Sequence, residues 1–407
     1  MELDAILRDR DIVIFASAPW VTDGRYNCHH IARRLAANNR VLYVESPGLR
    51  TPNPFHRADL LKILRRLGGW LRSRRRGSWK AMDNLFVLSP VIVPFHGWPL
   101  LERLNSALLG RACARAARVL KFDRPVLWAF LPIAAGLLGR LNESAVIYHC
   151  VDNYTANPGV NAAEIEESEK RLVEAADLCI ATSAPLAERL LRMSAKVECF
   201  PNVAEVGRFS AQSRECPEEI SRLPKPVIGY LGNIAAYKVD LDLLGEIASR
   251  RPDWSLVLVG PLGVGDPSTK LDGLRSLKNV HIIGARPYER IPAYVRNFDV
   301  GLVPFRRSSA TDYSLPHKTF EYLAAGKPVV SSPLSSLTAE PLSDVVKYAG
   351  NGEEFVRAIE ECLAGDDSDK RRLRREVASR YSWEKRFAEI DARVADVVAE
   401  REREDGL

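Results

Sequence analysis

Three observations in the 407-residue sequence predict an α/β protein of two doubly wound, Rossmann-like domains with a cleft between them. Apolar runs without alternation, such as Asp11–Ala16 and Val227–Leu231, read as strands of a parallel sheet covered on both faces. The first is followed by a loop, a helix and another apolar strand, the order of a βαβ unit with a right-handed crossover. The chain is also long enough for two full-sized cores.

Composition narrows the class. Hydrophobic content of 46% with 27% charged residues belongs to a soluble globular protein. The longest apolar run, near Val126–Leu138, is too short to span a bilayer and contains Pro132. The charged start Met1–Arg10 runs straight into a strand, so no signal peptide is expected. Seven scattered cysteines without a C-x-x-C pair read as reduced cytosolic thiols, neither a disulfide nor a zinc framework. The net charge of +6 is unevenly placed: residues 60–82 hold eight Lys or Arg and no acid, interleaved with Trp70, Leu71 and Trp79. That segment suits a basic surface loop, or an interfacial stretch resting on anionic lipid. Nucleic acid is the least suited partner, because the rest of the chain reads as an α/β enzyme without a nucleic-acid motif.

In chain order, the loop Ser17–Asn27 lies at the carboxyl end of the first strand, where open α/β sheets bind ligands. Asp23, Arg25 and His29 are placed there to touch a substrate, and His29 also suits a helix start with local partners. Strands follow at Val41–Val44, Leu85–Leu88, Val126–Phe130 and Ala145–Tyr148, with a helix around Leu101–Val119. Asp152 sits just past the Ala145–Tyr148 strand, as a candidate catalytic carboxylate or as an Asx-turn residue beside Asn153. After a helix over Ala162–Ala176 and the strands Leu178–Ala181 and Val197–Phe200, the aperiodic, proline-bearing stretch Ala211–Lys225 reads as the interdomain linker. It separates domains over residues 1–210 and 226–380. The second domain opens with Val227–Leu231 and then Gly232-Asn233, a glycine turn whose amides can approach a diphosphate. Strands at Ser255–Gly260, Asn279–Ile283 and Val300–Val303 lead to the stretch that organises the chain, Ser314–Ser332.

That stretch reads SLPHKTFEYLAAGKPVVSS. Ser314 suits an N-cap, Pro316 a first turn, and Gly326 with Pro328 a helix stop before the strand at Val329. Phe320, Leu323 and Ala324 share a core face, with Lys318, Glu321 and Tyr322 opposite. His317 and Lys318 place positive charge at the positive end of a helix, disfavoured by about 0.3–1 kcal/mol unless an anion sits there. Glu321, one turn on, can accept sugar hydroxyls; a solvated Lys–Glu pair is the plainer alternative.

The pattern P-x-K-x-x-E-Y-L-A-x-G-K-P-V-V resembles the nucleotide-sugar motif of GT-B glycosyltransferases, especially the group-one (family four) enzymes. The resemblance implies that Glu321 binds the donor ribose while Lys318 and nearby amides hold the diphosphate. Many members carry a second Glu eight residues before the first, where this chain has Tyr313. It also implies Lys238 as a second cation, and Asn233 where relatives carry Arg. Gly284 and Arg286 become candidates for nucleoside contact, in a loop that also suits a simple turn. Pro316 and His317 join the donor site. Y-x-C-x-D-[DN]-[YW] around Asp152 resembles bacterial polysaccharide glycosyltransferases, which implies an acceptor-facing carboxylate. A-T-S-x-x-L and P-N-V-x-x-x-x-F resemble further family motifs, the latter keeping Asn202 and Phe209. The terminal segment, about 383–407, is implied to pack back on the first domain.

The expected activity is therefore metal-independent, hexosyltransferase-type transfer from a nucleotide diphosphate sugar, with UDP as the expected nucleotide, to a saccharide or lipid-linked saccharide. The nucleotide-sugar is a substrate and no cofactor is expected. Asp152 and Lys318 are the expected catalytic residues, in a cytoplasmic enzyme with peripheral membrane contact through 60–82. A nucleotide-sugar epimerase and a catalytically silent nucleotide- or polysaccharide-binding module are the other readings. Asn233 and Tyr313, where the common motif is broken, keep the silent module open.

Overall fold

The computed structural model describes residues 6–22, 25–46, 48–49, 78–90 and 99–406. Asp23 lies outside the described residues, as does most of the basic segment, 60–77. Two compact units emerge. The first comprises Met1–Thr182, Leu186–Phe200 and Phe387–Leu407; the second comprises Ser183–Pro185 and Pro201–Arg386.

Among the described residues the first unit holds eight strands: β1 (Asp11–Phe15), β2 (Arg40–Val44), β3 (Trp79–Met82), β4 (Leu85–Leu88), β5 (Val126–Ala129), β6 (Ala145–Cys150), β7 (Leu178–Ala181) and β8 (Val197–Cys199). Their order is β3-β4-β2-β1-β5-β6-β7-β8, parallel except for the β3–β4 pair. β1, β5, β6 and β7 are buried at every position, as continuous apolar strands between helical layers must be. Sequence order reverses between β1 and β5, which makes their carboxyl ends the place where a crevice opens. The Trp383–Glu404 helix is fastened within this unit by ion pairs from Arg10 to Glu402, Arg124 to Asp405 and Arg393 to Glu198.

The second unit has six strands among the described residues: β9 (Val227–Leu231), β10 (Ser255–Val259), β11 (Val280–Gly284), β12 (Val300–Val303), β13 (Val329–Ser331) and β14 (Val346–Tyr348). The sheet is parallel throughout, in the order β11-β10-β9-β12-β13-β14, with its switch point between β9 and β12. Gly229 and Gly301 pair across those two central strands. A Cβ on Gly229 would stand 2.1 Å from the Phe298 ring, and one on Gly301 would stand 2.5 Å from the Tyr322 ring. The paired glycines thus leave a trough in which two large rings lie against the sheet.

The organising helix spans His317–Ala324. It starts later than expected: Pro316, not Ser314, occupies the N-cap position. Tyr322 is fully buried, contrary to the exposed face expected for it, because the glycine trough admits its ring. Its hydroxyl accepts the Leu231 amide at 2.7 Å and so ties the helix to the end of β9. The stretch read as a linker contains a short helix, Glu218–Ser221. Among the described residues no helix is long and apolar enough to cross a membrane.

Candidate functional site

The switch point of the second sheet is built from glycine. Gly232 follows β9 at φ 128° and Gly260 follows β10 at φ 145°, conformations that side-chain-bearing residues rarely adopt. A Cβ on Gly260 would fall 2.0 Å from the Gly232 carbonyl oxygen. A Cβ on Gly232 would fall 2.8 Å from Lys318 Nζ. The space that Gly232 leaves is therefore occupied by an ammonium group.

Lys318 is half-buried, and aromatic groups surround its head. Nζ lies 4.1 Å from the Tyr230 ring centroid and 4.4 Å from that of Phe305, and donates to the Tyr230 hydroxyl at 2.9 Å. Tyr230 donates onward to the Asn233 carbonyl at 2.8 Å. Among the described residues no carboxylate forms a salt bridge with Lys318. Desolvation lowers its pKa to about 7, against the attraction of Glu321 and with a further push from Lys238. The carboxylate of Glu321, also half-buried, makes no hydrogen bond or salt bridge among the described residues. Desolvation raises it to about 7, Lys318 opposes that shift, and Glu205 adds to it. An ammonium and a carboxylate, each short of partners, thus sit one turn apart on a helix whose first amides have no intrahelical acceptor. That arrangement can take an anion on one side and hydroxyl donors on the other.

The remaining donor-side candidates are distributed around this pair. His317 is not the second cation: its Nδ1–H donates to the Val203 carbonyl at 2.7 Å, and burial lowers its pKa, leaving it neutral. The turn therefore carries a single cation. Lys238 stands near enough to Lys318 to disfavour its charge, with its own ammonium 5.5 Å from the Tyr237 ring centroid. The Asn233 side chain clasps Val264, donating to its carbonyl at 2.7 Å and accepting its amide at 3.1 Å. Gly284 ends β11 at φ 80°, its carbonyl accepting the Gly260 amide at 3.0 Å. The Arg286 guanidinium is held by Glu219 at 2.8 Å and by the Tyr294 hydroxyl at 3.0 Å. Its charge is thus already engaged. Tyr313 lends its backbone carbonyl to the Ser183 hydroxyl at 2.6 Å.

Sequence reasoning missed Tyr230, Phe305, Tyr288 and Glu205. Glu205 falls inside the motif stretch between Asn202 and Phe209, and Tyr288 two residues past Arg286, yet their meeting, like that of Lys318 with Tyr230 and Phe305, follows only from the fold.

On the first unit, Asp152 follows β6, and its Oδ1 accepts the amide of the next residue, Asn153, at 3.1 Å. His29 is a capping-box residue: Nδ1 accepts the Tyr26 amide at 3.1 Å and Nε2–H donates to the Pro19 carbonyl at 3.0 Å. Burial lowers its pKa to about 4, so the helix start uses up both ring nitrogens of a neutral imidazole. Arg25 is half-buried in the loop before that helix. Beneath β6, Glu169 accepts both Arg189 nitrogens at 2.6 Å and the Tyr148 hydroxyl at 2.6 Å.

Two parallel-sheet Rossmann-like units define the class as GT-B. Sucrose-phosphate synthase from Thermosynechococcus elongatus superposes with a TM-score of 0.71 at 16% identity, over 96% of this chain and 99% of that one. HepE from Anabaena, solved in complex with UDP and glucose, superposes with a TM-score of 0.65 at 15% identity, over 95% of this chain and 100% of that one. Within that class, residues 225–365 match the family model described as Glycosyl transferases group 1. Among curated proteins, the chain is 29% identical over 287 residues to TuaH of Bacillus subtilis, whose name assigns it to teichuronic acid biosynthesis as a glycosyltransferase. That similarity covers 66% of this chain and 71% of TuaH. A shorter match, 32% over 134 residues, links it to WcaI of Escherichia coli, named for colanic acid biosynthesis and spanned over 32% of its length.

Proposed function

We propose that the protein transfers a sugar, of the hexose type, from a nucleotide diphosphate donor to a saccharide or lipid-linked saccharide in cell-surface polysaccharide synthesis, with UDP as the nucleotide. One observation carries this reading: Lys318 and Glu321 are desolvated, short of partners and adjacent at the switch point of the second sheet. Lys318 binds the diphosphate and stabilises the charge that develops as it departs, assisted by Lys238 and by the amides of Asn233 and the first helical turn. Glu321 accepts hydroxyls of the pentose. The nucleoside lies against the backbone at Gly284 and its loop. Asp152 faces the acceptor, as base if transfer inverts the anomeric centre and as an orienting group if it retains it. The role given to Lys318 leaves no step that needs a metal, and transfer is expected to persist in EDTA. The names of TuaH and WcaI support a polysaccharide acceptor, and the basic segment 60–82 supports contact with an anionic membrane surface.

Titration calorimetry tests the donor site. The wild-type chain is expected to bind UDP, and Glu321→Ala to weaken binding by about tenfold or more. Unchanged affinity in Glu321→Ala removes the pentose assignment. Asp152→Asn is expected to leave UDP affinity intact and suppress transfer; transfer near the wild-type rate removes Asp152 from the chemistry.

A further inference from the structure

We infer that Glu205, together with the Tyr288 hydroxyl it engages, forms the second arm of the pentose site and makes the site selective for a ribonucleotide over its 2′-deoxy form. This deepens the donor reading above and rests on it.

The segment carrying Glu205 is stitched to the organising turn. Asn202 Nδ2 donates to the Leu315 carbonyl at 2.9 Å, and the Val203 carbonyl accepts His317 Nδ1–H at 2.7 Å. The Ala204 amide donates to the Tyr381 carbonyl at 3.0 Å, and the Trp383 amide donates to the Ala204 carbonyl at 3.2 Å. Glu205 comes next and is held in register with Lys318 and Glu321. Its carboxylate pairs with Arg208 at 3.0 Å and hydrogen-bonds Tyr288. The Arg208 guanidinium lies 5.2 Å from the Tyr288 ring centroid, fixing the ring from its other side. Tyr288 stands in the loop after Gly284, and its hydroxyl feels the charge of both Glu205 and Glu321. Two carboxylates and a phenol from three distant segments thus converge beside the proposed pentose.

The chemistry matches a vicinal diol. Two hydroxyls bring two protons, and a single carboxylate beside a neutral aromatic wall serves them less well than two acceptors on either side. Position 313 is a tyrosine, and the neighbouring Asp312 is taken up by Arg307 and the Ser335 amide. Glu205 supplies that second charge from a different part of the chain. A deoxyribose offers this pair of acceptors one hydroxyl fewer, and sites built around a hydroxyl reject analogues that lack it.

The test compares UDP with 2′-deoxy-UDP by titration calorimetry on the full chain. Wild type is expected to prefer UDP by about tenfold or more. Glu205→Gln, which keeps side-chain size, is expected to bring the two affinities within about threefold by weakening UDP more than its deoxy analogue. Tyr288→Phe, which keeps the ring, decides the matter in the same direction should Glu205→Gln fail to fold. Equal losses for both nucleotides would assign Glu205 a structural role and overturn the inference, as would an unchanged preference in either folded variant. An absence of UDP binding in the wild type would instead remove the donor reading, and this inference with it.

Discussion

The carboxyl edges of the two sheets treat charge in opposite ways. Under β6 of the first unit, Arg189 and Tyr148 satisfy the Glu169 carboxylate, both of whose oxygens accept guanidinium nitrogens at 2.6 Å. At the switch point of the second unit, Lys318 leans on aromatic faces and the Glu321 carboxylate accepts no hydrogen bond among the described residues. Both arrangements carry a desolvation penalty. Only the first recovers it within the protein. A charge cluster completed by its own residues holds a fold together, whereas one left incomplete is a receptor for something the chain does not contain.

The largest effect that sharpens this contrast belongs to the completed cluster. Arg189→Met leaves Glu169 charged and enclosed, and is expected to cost about 3–5 kcal/mol of stability. Chemical denaturation measures that loss, while UDP affinity stays within error for protein that remains folded. A small stability loss would show that the pair is replaceable.

Lys318→Met should do the reverse. Removing a partly desolvated ammonium with no carboxylate salt-bridge partner is expected to raise the melting temperature of the ligand-free protein. The same change should lower transfer by about 10²–10³-fold, the scale for losing one preorganised donor to a developing charge. It should also abolish the thermal shift that UDP produces. A destabilised apo-protein would break the comparison.

The smallest effect is a pH profile. Lys318 titrates near 7 when the site is empty, and a bound diphosphate favours its charged form. Binding therefore takes up a proton, and affinity falls as pH rises above 7, by at most about tenfold per unit. Glu321 is raised to about 7 and accepts hydroxyls as the carboxylate, so its contribution weakens as pH falls below 7. UDP affinity should peak near neutrality in the wild type. Glu321→Gln should keep only the alkaline fall. A flat wild-type profile would show that neither group changes protonation on binding.

Much of the fold was legible because its strands are apolar throughout and its turns carry glycine and proline. β9, β12 and the helix–strand grammar of residues 314–332 needed only local pattern. The exact helix start was not legible, since Ser314 and Pro316 are both reasonable near an N-terminus and tertiary contacts choose between them. Helical periodicity puts Tyr322 opposite the core because it cannot see that Gly229 and Gly301 open a trough beneath it. In sequence His317 reads as a second cation, because neither its burial nor the Val203 carbonyl is visible there. The aromatic seat of Lys318 joins residues 230, 305 and 318, and Glu205 stands more than a hundred positions before Glu321. Such proximities follow from strand order, which no local spacing encodes.

The parallel bridge between Ala204 and Ser382 also bears on biosynthesis. The polypeptide enters and leaves the second unit at neighbouring points, so this unit behaves like an insertion whose base is already closed. All its strands precede residue 387, whereas the first unit must await its final helix, which anchors to Arg10, Arg124 and Glu198. On the ribosome the later-encoded second unit can therefore mature before the earlier-encoded first unit is complete.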